Sequence, residues 1–164
     1  LEEERYFEKL SFAQTINKVY NALENNKSNN LKYFFISNFL NNKEIFEKHF
    51  QNINNNTLEN IKDSEELKDF KDFISKLVSD FLKTDNIRLK NIILDFFIEF
   101  NIKLSDEDLV NFTKYLLTYE DSIILKILDI IQNSNYKLII DILMRLLSTK
   151  NTEILEKVKT LIKK

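Results

Sequence analysis

The residues from Arg88 to Asn101, RLKNIILDFFIEFN, contain more apolar side chains than one face of a helix can hold. Most of them follow the i, i+3, i+4, i+7 spacing of an amphipathic helix, whereas Leu94 and Ile98 lie off that stripe. A helix that is apolar nearly all round is normally buried. We therefore predict that this segment is the central helix of an all-helical domain. The stripe comprises Leu89, Ile92, Ile93, Phe96, Phe97 and Phe100.

The chain has 164 residues and contains no glycine, proline or cysteine. Its length predicts a single domain, residues 1–164, that buries one core. Without cysteine, neither a disulfide framework nor a thiolate metal site is available. Without glycine, the tight phosphate loops, nucleophile elbows and dinucleotide turns of many enzymes are excluded. We expect no catalytic residue, no cofactor and no metal ion, and a chain that is not an enzyme.

Charge gives a second set of exclusions. The 24 basic and 26 acidic side chains are interspersed, and the formal net charge is −2. Because there is no basic stripe to neutralise phosphates, we expect no nucleic-acid partner. No uninterrupted apolar run approaches the roughly 20 residues that a membrane-spanning helix needs. We therefore expect no segment of this sequence to span a membrane.

Four helices are predicted before the central one. Asparagine-rich segments separate them, and asparagine is the residue best able to replace glycine in the left-handed conformation that ends many helices. In the second helix Leu31, Phe34, Phe35 and Phe39 are predicted to point inward, and in the third Ile45, Phe46, Phe50 and Ile53. A single long helix in place of these two is the alternative, since asparagine costs a helix little. The four predicted ranges are Glu2 to Asn25, Ser28 or Asn29 to Leu40, Asn42 to Ile53, and Asp63 to Lys83, with a loop at Asn52 to Asn60.

Two segments have the pattern of a capping box, in which a helix-starting residue and an acid three positions later satisfy the first free N–H groups. They are Asp63 to Glu66 and Ser105 to Asp108. After the second, helix starts recur about every fifteen residues, which is also typical of stacked pairs in α-solenoids. No residue-level repeat accompanies this spacing, so we favour a compact irregular bundle of eight or nine antiparallel helices around residues 88–101. The last four predicted helices are Ser105 to Thr118, Glu120 to Gln132, Asn135 to Ser148 and Asn151 to Lys163.

The candidate polar sites each have a plain structural explanation. His49, the sole histidine, has the chemistry of a general base or a pH sensor, but it lies on a predicted helix without a nucleophile at a suggestive spacing. We expect an ordinary surface or boundary residue. Asp106 to Asp108 and Glu2 to Glu4 are acidic clusters without the ligand spacing of a calcium loop. We expect both to be first-turn acids that favour the positive end of a helix dipole.

Aromatic residues offer one further hypothesis. The 14 phenylalanines suggest either a groove for an apolar ligand or, as we expect, ordinary core packing. Phe12 and Phe112 are the first suspects for exposed contact residues, and an exposed apolar cluster would mark a partner surface or a dimer contact. Glycosylation sequons begin at Asn26, Asn55 and Asn111, but the chain contains 21 asparagines, so such matches arise by chance.

Taken as a whole, the composition resembles that of one family. The chain is rich in lysine, asparagine, isoleucine and phenylalanine, which indicates an AT-rich genome; it is free of cysteine, does not begin with methionine and forms short helices. In these respects it resembles the mature domains of helical outer-surface lipoproteins of Lyme-disease spirochaetes. The resemblance implies a lipid-anchored protein at the cell surface that contacts host or vector proteins. The alternative is an intracellular solenoid-like scaffold or adaptor from an organism such as a malaria parasite.

Overall fold

The fold is all-α, as predicted. The computed structural model describes residues 11–25, 28–54 and 61–164. Within these ranges the chain forms nine α-helices, three short 3-10 helices and no β-strand. The α-helices are α1 (Phe12–Asn25), α2 (Asn29–Asn41), α3 (Lys43–Asn54), α4 (Ile61–Lys83), α5 (Ile87–Glu99), α6 (Asp106–Thr113), α7 (Asp121–Ile131), α8 (Ile140–Arg145) and α9 (Thr152–Lys163). None of these described helices has the length and apolarity needed to cross a membrane.

Helix α5 is the segment predicted to be buried. Its predicted apolar stripe is buried, whereas Ile87 and Arg88 at its start are exposed. Leu94, which lies off the main stripe, is as inaccessible to solvent as Phe96 and Phe97 on it. The helix ends at Glu99, and the chain then leaves it through a residue in the left-handed conformation, Asn101, with φ of 50°. The N–H of the next residue donates to the carbonyl of Phe97 at 3.0 Å, which closes a Schellman motif.

The described chain divides into two compact units between Ile92 and Ile93, inside the continuous helix α5. We call the part up to Ile92 the first unit and the part from Ile93 the second unit. The single-domain organisation expected from the length stays a prediction, and each unit is described by itself.

In the first unit, α1 packs along α4, and α2 packs against α1 and α3. Its core is largely aromatic. The ring of Tyr20 meets that of Phe73 edge-on at 5.4 Å between centroids, and the rings of Phe39 and Phe46 meet in the same way at 4.8 Å. Such edge-to-face pairs stabilise a core beyond the area they bury.

In the second unit, α9 packs against α7 and α8, and α6 packs against the 3-10 helix Tyr136–Ile139. The core of these elements is mainly isoleucine and leucine. The loop after α5 is held by a buried hydrogen bond from the N–H of Leu104 to Oγ of Ser134, 2.9 Å long. The buried side chains of α7, α8 and α9 are Ile123, Ile124, Ile127, Leu128, Ile130, Ile131, Leu143, Ile154, Val158 and Leu161.

Several predicted helix boundaries need correction. Helices α2 and α3 are separate, as favoured from the sequence. Asn42 between them has non-helical backbone angles, its N–H donates to the carbonyls of Asn38 and Phe39, and its side-chain amide also donates to the carbonyl of Asn38. Helix α4 begins at Ile61, before the predicted cap at Asp63. The predicted helices 105–118 and 135–148 each contain both α and 3-10 segments. The predicted loop at 52–60 begins later, since α3 reaches Asn54, and its residues 55–60 lie outside the described chain, as do residues 2–10 of the first predicted helix.

Candidate functional site

Helix α2 has a solvent face without charge. Its sequence, NNLKYFFISNFLN, contains one charged residue, Lys32, and that lysine is buried, with 8% of its surface exposed. In a chain in which 30% of residues are charged, a segment of 13 would contain about four. The solvent side of α2 presents only apolar and asparagine side chains: Asn29, Asn30, Leu31, Phe34, Asn38 and Asn41.

Two large apolar side chains stand out on this face, and for them the prediction is wrong. Leu31 is 45% exposed and Phe34 is 62% exposed, although both were predicted to point inward. The buried stripe of α2 is instead Lys32, Ile36 and Phe39, at spacings of four and three. Because a lysine occupies the inward stripe, the helix is rotated relative to the orientation that its apolar residues alone indicate.

A buried polar cluster explains why Lys32 points inward. Its ammonium group lies 3.1 Å from Oδ2 of Asp80 on α4 and 5.6 Å from the ring centroid of Tyr20 on α1. The hydroxyl of Tyr20, which has no solvent exposure, donates to the same carboxylate oxygen. Burial raises the pKa of Tyr20 well above its ordinary value, and the hydrogen bond to Asp80 acts in the same direction. The cluster therefore holds a neutral phenol beside an ion pair.

An open groove of about 560 Å³ lies beside this cluster, and Lys32 and Asp80 form part of its wall. Its wall contains both acidic and basic side chains, so the groove lacks the single sign of charge that attracts an anion or a cation. Nearby, burial lowers the pKa of Lys90, whose ammonium group donates to the carbonyl of Phe81 at 2.9 Å. The remaining wall residues are Glu24, Asn29, Lys83, Thr84, Asp85, Asn86 and Leu89.

Aromatic and cationic groups border the exposed face of α2. The ring of Tyr33 meets that of Phe34 edge-on at 5.7 Å between centroids. The guanidinium of Arg88 lies over the same tyrosine, 4.4 Å from its centroid, and the neighbouring Ile87 is exposed. Tyrosine, arginine and phenylalanine are enriched at protein interfaces, where charged residues other than arginine are depleted. We call Leu31, Tyr33, Phe34, Ile87 and Arg88 the α2 patch.

Other exposed apolar residues lack this setting. Ile45, predicted to point inward, is exposed on α3 beside the exposed charges Glu44 and Lys48. Met144 on α8 stands beside Arg145, and charged residues likewise interrupt the other exposed apolar side chains of the second unit. Those others are Val110, Tyr115, Leu117, Leu138 and Leu147.

Comparison with known proteins gives no relative. No family model, curated protein or solved structure matches this chain. Its function is therefore inferred from the described geometry and from the compositional resemblance.

Neither suspected contact phenylalanine is exposed: Phe112 lies in the core, and Phe12 is half-buried. Phe112 is fully buried and its ring packs edge-on against that of Phe97, 5.8 Å away. Phe12 is half-buried beneath His49, whose ring stacks on it at 4.6 Å, and it also contacts Phe50. Both were suspected because of their sequence position relative to a helical stripe, which the packing of neighbouring helices overrides. Core packing is confirmed for most of the described phenylalanines.

The remaining candidates agree with the plain explanations where the structure describes them. His49 is an exposed residue of α3. Asp106 to Asp108 form the first turn of α6, where Oγ of Ser105 accepts the N–H of Asp108. Among the described residues no group of three potential metal ligands occurs. Asn111 is exposed on α6, whereas Glu2 to Glu4 and the sequons at Asn26 and Asn55 lie outside the described residues.

Glu66 caps a different helix from the one that the sequence pattern predicts. It was predicted to cap its own helix, but its carboxylate accepts the N–H of Ala13, in the first turn of α1, at 3.3 Å. A carboxylate at the positive end of a helix dipole is favourable whichever helix supplies it. The local sequence identifies the acid as a capping residue, but only the packing of α1 on α4 selects the helix that it caps.

Proposed function

We propose that this chain is a non-enzymatic interaction domain that binds a protein partner through the α2 patch. The main support is the charge-free solvent face of α2, with Leu31 and Phe34 exposed at its centre. An interface is distinguished from ordinary surface by depletion of charge and by aromatic and arginine anchors, which is the combination found in this patch.

The patch has enough exposed apolar surface to contribute to affinity. Burying a phenylalanine side chain completely contributes roughly 1.5–3 kcal/mol relative to leaving it in water. Since 62% of Phe34 is exposed, most of that free energy remains available to a partner. At the edge of the patch Arg88 already contacts Tyr33, 4.4 Å from its ring centroid, and a contact that exists before binding reduces the side-chain entropy lost on binding.

For the location of the domain, we propose the surface of a bacterial cell, with a lipid anchor in the outer membrane and a host or vector protein as partner. The compositional resemblance to spirochaete lipoproteins supports this location. It is tested by treating intact cells with a protease, which would remove the domain from a cell surface. A domain that is degraded only after lysis would indicate the intracellular scaffold instead.

Binding through the patch is tested with two matched surface variants. Phe34→Glu places a charge in the patch, and Leu117→Glu places the same charge at an exposed leucine of the second unit. A partner captured from host or vector material is purified, and its affinity for each variant is measured by calorimetry. We expect at least a tenfold loss for Phe34→Glu, about 1.4 kcal/mol, and none for the control. Equal affinities for both variants would show that the partner binds elsewhere.

A further inference from the structure

The second unit contains the same succession of helices twice. Residues 104–133 form α6, the 3-10 helix Leu116–Thr118 and α7, and we call them the first pair. Residues 134–164 form α8 with its flanking 3-10 helices Tyr136–Ile139 and Leu146–Ser148, followed by α9, and we call them the second pair. The 3-10 helices that precede α7 and α9 begin 30 positions apart, and α7 and α9 themselves begin 31 positions apart.

The ends of these two 3-10 helices have the same hydrogen bonds. The hydroxyl of Thr118 donates to the carbonyl of Tyr115 at 2.6 Å, and the hydroxyl of Ser148 donates to the carbonyl of Arg145 at 3.0 Å. In each pair, the N–H of the following residue donates to the carbonyl of the leucine that begins the 3-10 helix. The turn into α7 and the turn into α9 therefore close in the same way.

Burial follows the same register. Residues 111–120 and 141–150 show one order of buried, half-buried and exposed positions, except that Phe112 is buried and Ile142 is half-buried. Only two of these ten positions have the same residue in both segments, and both are leucine. The equivalence therefore lies in the packing, and this is why the sequence shows no residue-level repeat.

Equivalent ion pairs join successive helices of the unit. Lys126 of α7 contacts Asp95 of α5 at 2.9 Å, and Lys157 of α9 contacts Asp129 of α7 at 2.6 Å. The two lysines are 31 positions apart, as are the starts of their helices, so they occupy the same place in each pair. We infer that the second unit is a stack of two equivalent helix pairs, and that the second pair opens and closes as a unit on the first.

The opening follows from the order of the stack. The second pair packs on the first through α9 against α7 and through Tyr136–Ile139 against α6, whereas the first pair is also joined to α5 by Lys126. In a stack of repeats, stability is approximately a sum of terms for each repeat and for its contacts with its neighbours. The second pair therefore opens while the first stays folded, but opening of the first pair also releases the second. This inference does not rest on the proposed use of the α2 patch.

Hydrogen exchange of the full chain tests the stack with two matched variants. Ile123→Ala and Ile154→Ala remove the same side chain from equivalent buried positions of α7 and α9. Ile123→Ala should accelerate exchange at least tenfold in both pairs, because the second pair loses the surface on which it packs. Ile154→Ala should accelerate exchange at least tenfold in residues 134–164 and less than twofold in residues 104–133.

Two outcomes of this experiment overturn the inference. Equal acceleration of both pairs by Ile154→Ala would show that the second unit opens as one block. Acceleration by Ile123→Ala that is confined to the first pair would show that the second pair does not depend on it. Circular dichroism checks that each variant is folded, and the milder changes Ile123→Val and Ile154→Val replace them if either is not.

An added pair tests the equivalence itself. A second copy of residues 105–134, inserted after Ser134, places Lys126 of the copy opposite Asp129 of the original α7 and leaves Lys157 opposite Asp129 of the copy. We expect the longer chain to gain helix in circular dichroism and to unfold cooperatively in urea. The control is an insert of the same 30 residues in scrambled order, which should add no helix. A copy that adds no more helix than the scrambled insert overturns the repeat.

Discussion

The two units place their charged groups differently. In the first unit Lys32 and Asp80 pair in the interior, with side chains only 10% and 14% exposed, and share their site with Tyr20. In the second unit the pair formed by Lys157 and Asp129 lies at the surface, with side chains 33% and 42% exposed. The difference accounts for the α2 patch. Because the lysine of α2 pairs with Asp80 in the interior, no charged side chain of α2 itself remains outside, and Leu31 and Phe34 face solvent.

The largest effect is expected in the core of the second unit. Phe97→Ala removes a fully buried ring from α5 and should cost roughly 3–5 kcal/mol of unfolding free energy, measured by urea denaturation. The matched control is Phe34→Ala, at an exposed position, which should change stability by no more than about 0.5 kcal/mol. A loss below about 1 kcal/mol at Phe97 would contradict the buried position of α5.

The same variant tests the single-domain prediction. Hydrogen exchange measured separately for residues 11–92 and 93–164 reports the opening of each unit. If the chain unfolds as one domain, Phe97→Ala should accelerate exchange equally in the slowest amides of both ranges. Acceleration confined to residues 93–164 would show that the two units unfold independently.

In the first unit, breaking the buried cluster should cost about 3 kcal/mol. Asp80→Ala leaves the ammonium of Lys32 and the hydroxyl of Tyr20 buried without their shared acceptor, and a buried charge without a partner is strongly destabilising. A triple variant, Lys32→Met, Asp80→Met and Tyr20→Phe, replaces the whole cluster by apolar groups and should recover most of the loss. If the triple variant is as unstable as Asp80→Ala, shape and not charge determines the effect.

The sequence predicts an element of this architecture when a local pattern of residues determines it. It does not predict an element whose orientation depends on a contact with a distant residue. Helix α5 was predicted because its apolar excess needs no knowledge of its neighbours. The rotation of α2 was not predicted, because the helical pattern assumes that lysine faces solvent. The residue that pairs with Lys32 in the interior, Asp80, lies 48 positions further along the chain. The cluster that turns α2, and with it the candidate patch, depends on a tertiary contact. One local clue was present, the near absence of charge in residues 29–41.

The end of α5 shows a general tendency predicted from composition. In a chain without glycine, asparagine was expected to adopt left-handed conformations, and Asn101 does so at the end of this helix. Asn101→Ala should lower the free energy of unfolding by roughly 1–2 kcal/mol. Any residue with a β-carbon is unfavourable in the left-handed conformation, and alanine lacks the polar side chain whose local hydrogen bonds make asparagine tolerable there. Asn101→Gly, the control, should remain within about 0.5 kcal/mol of the wild type by urea denaturation. If glycine is as destabilising as alanine, the asparagine side chain and not the backbone conformation matters.

The buried phenol of the first unit should make its stability depend on pH in the alkaline range. The pKa of Tyr20 is raised by burial and by its bond to Asp80, whereas the unfolded chain releases this proton near pH 10. The contribution is constant below pH 10 and then falls by up to about 1.4 kcal/mol per pH unit. Urea denaturation of the wild type and Tyr20→Phe from pH 8 to 11 should therefore give converging stabilities above pH 10. Parallel curves would mean that Tyr20 ionises equally easily in both states.

The smallest effect is expected at the surface pair of the second unit. Asp129→Asn removes a carboxylate that lies 2.6 Å from the ammonium of Lys157, a shorter distance than the 3.1 Å of the buried pair. The loss should nevertheless be below about 1 kcal/mol and should shrink in high salt, because solvent screens the exposed pair and rehydrates the remaining lysine. Urea denaturation at two salt concentrations, beside Asp80→Ala, measures the contrast. Equal losses of unfolding free energy for the two aspartate variants would mean that burial does not determine the strength of these ion pairs. The inward orientation of Lys32 would then need a cause other than its buried pairing with Asp80.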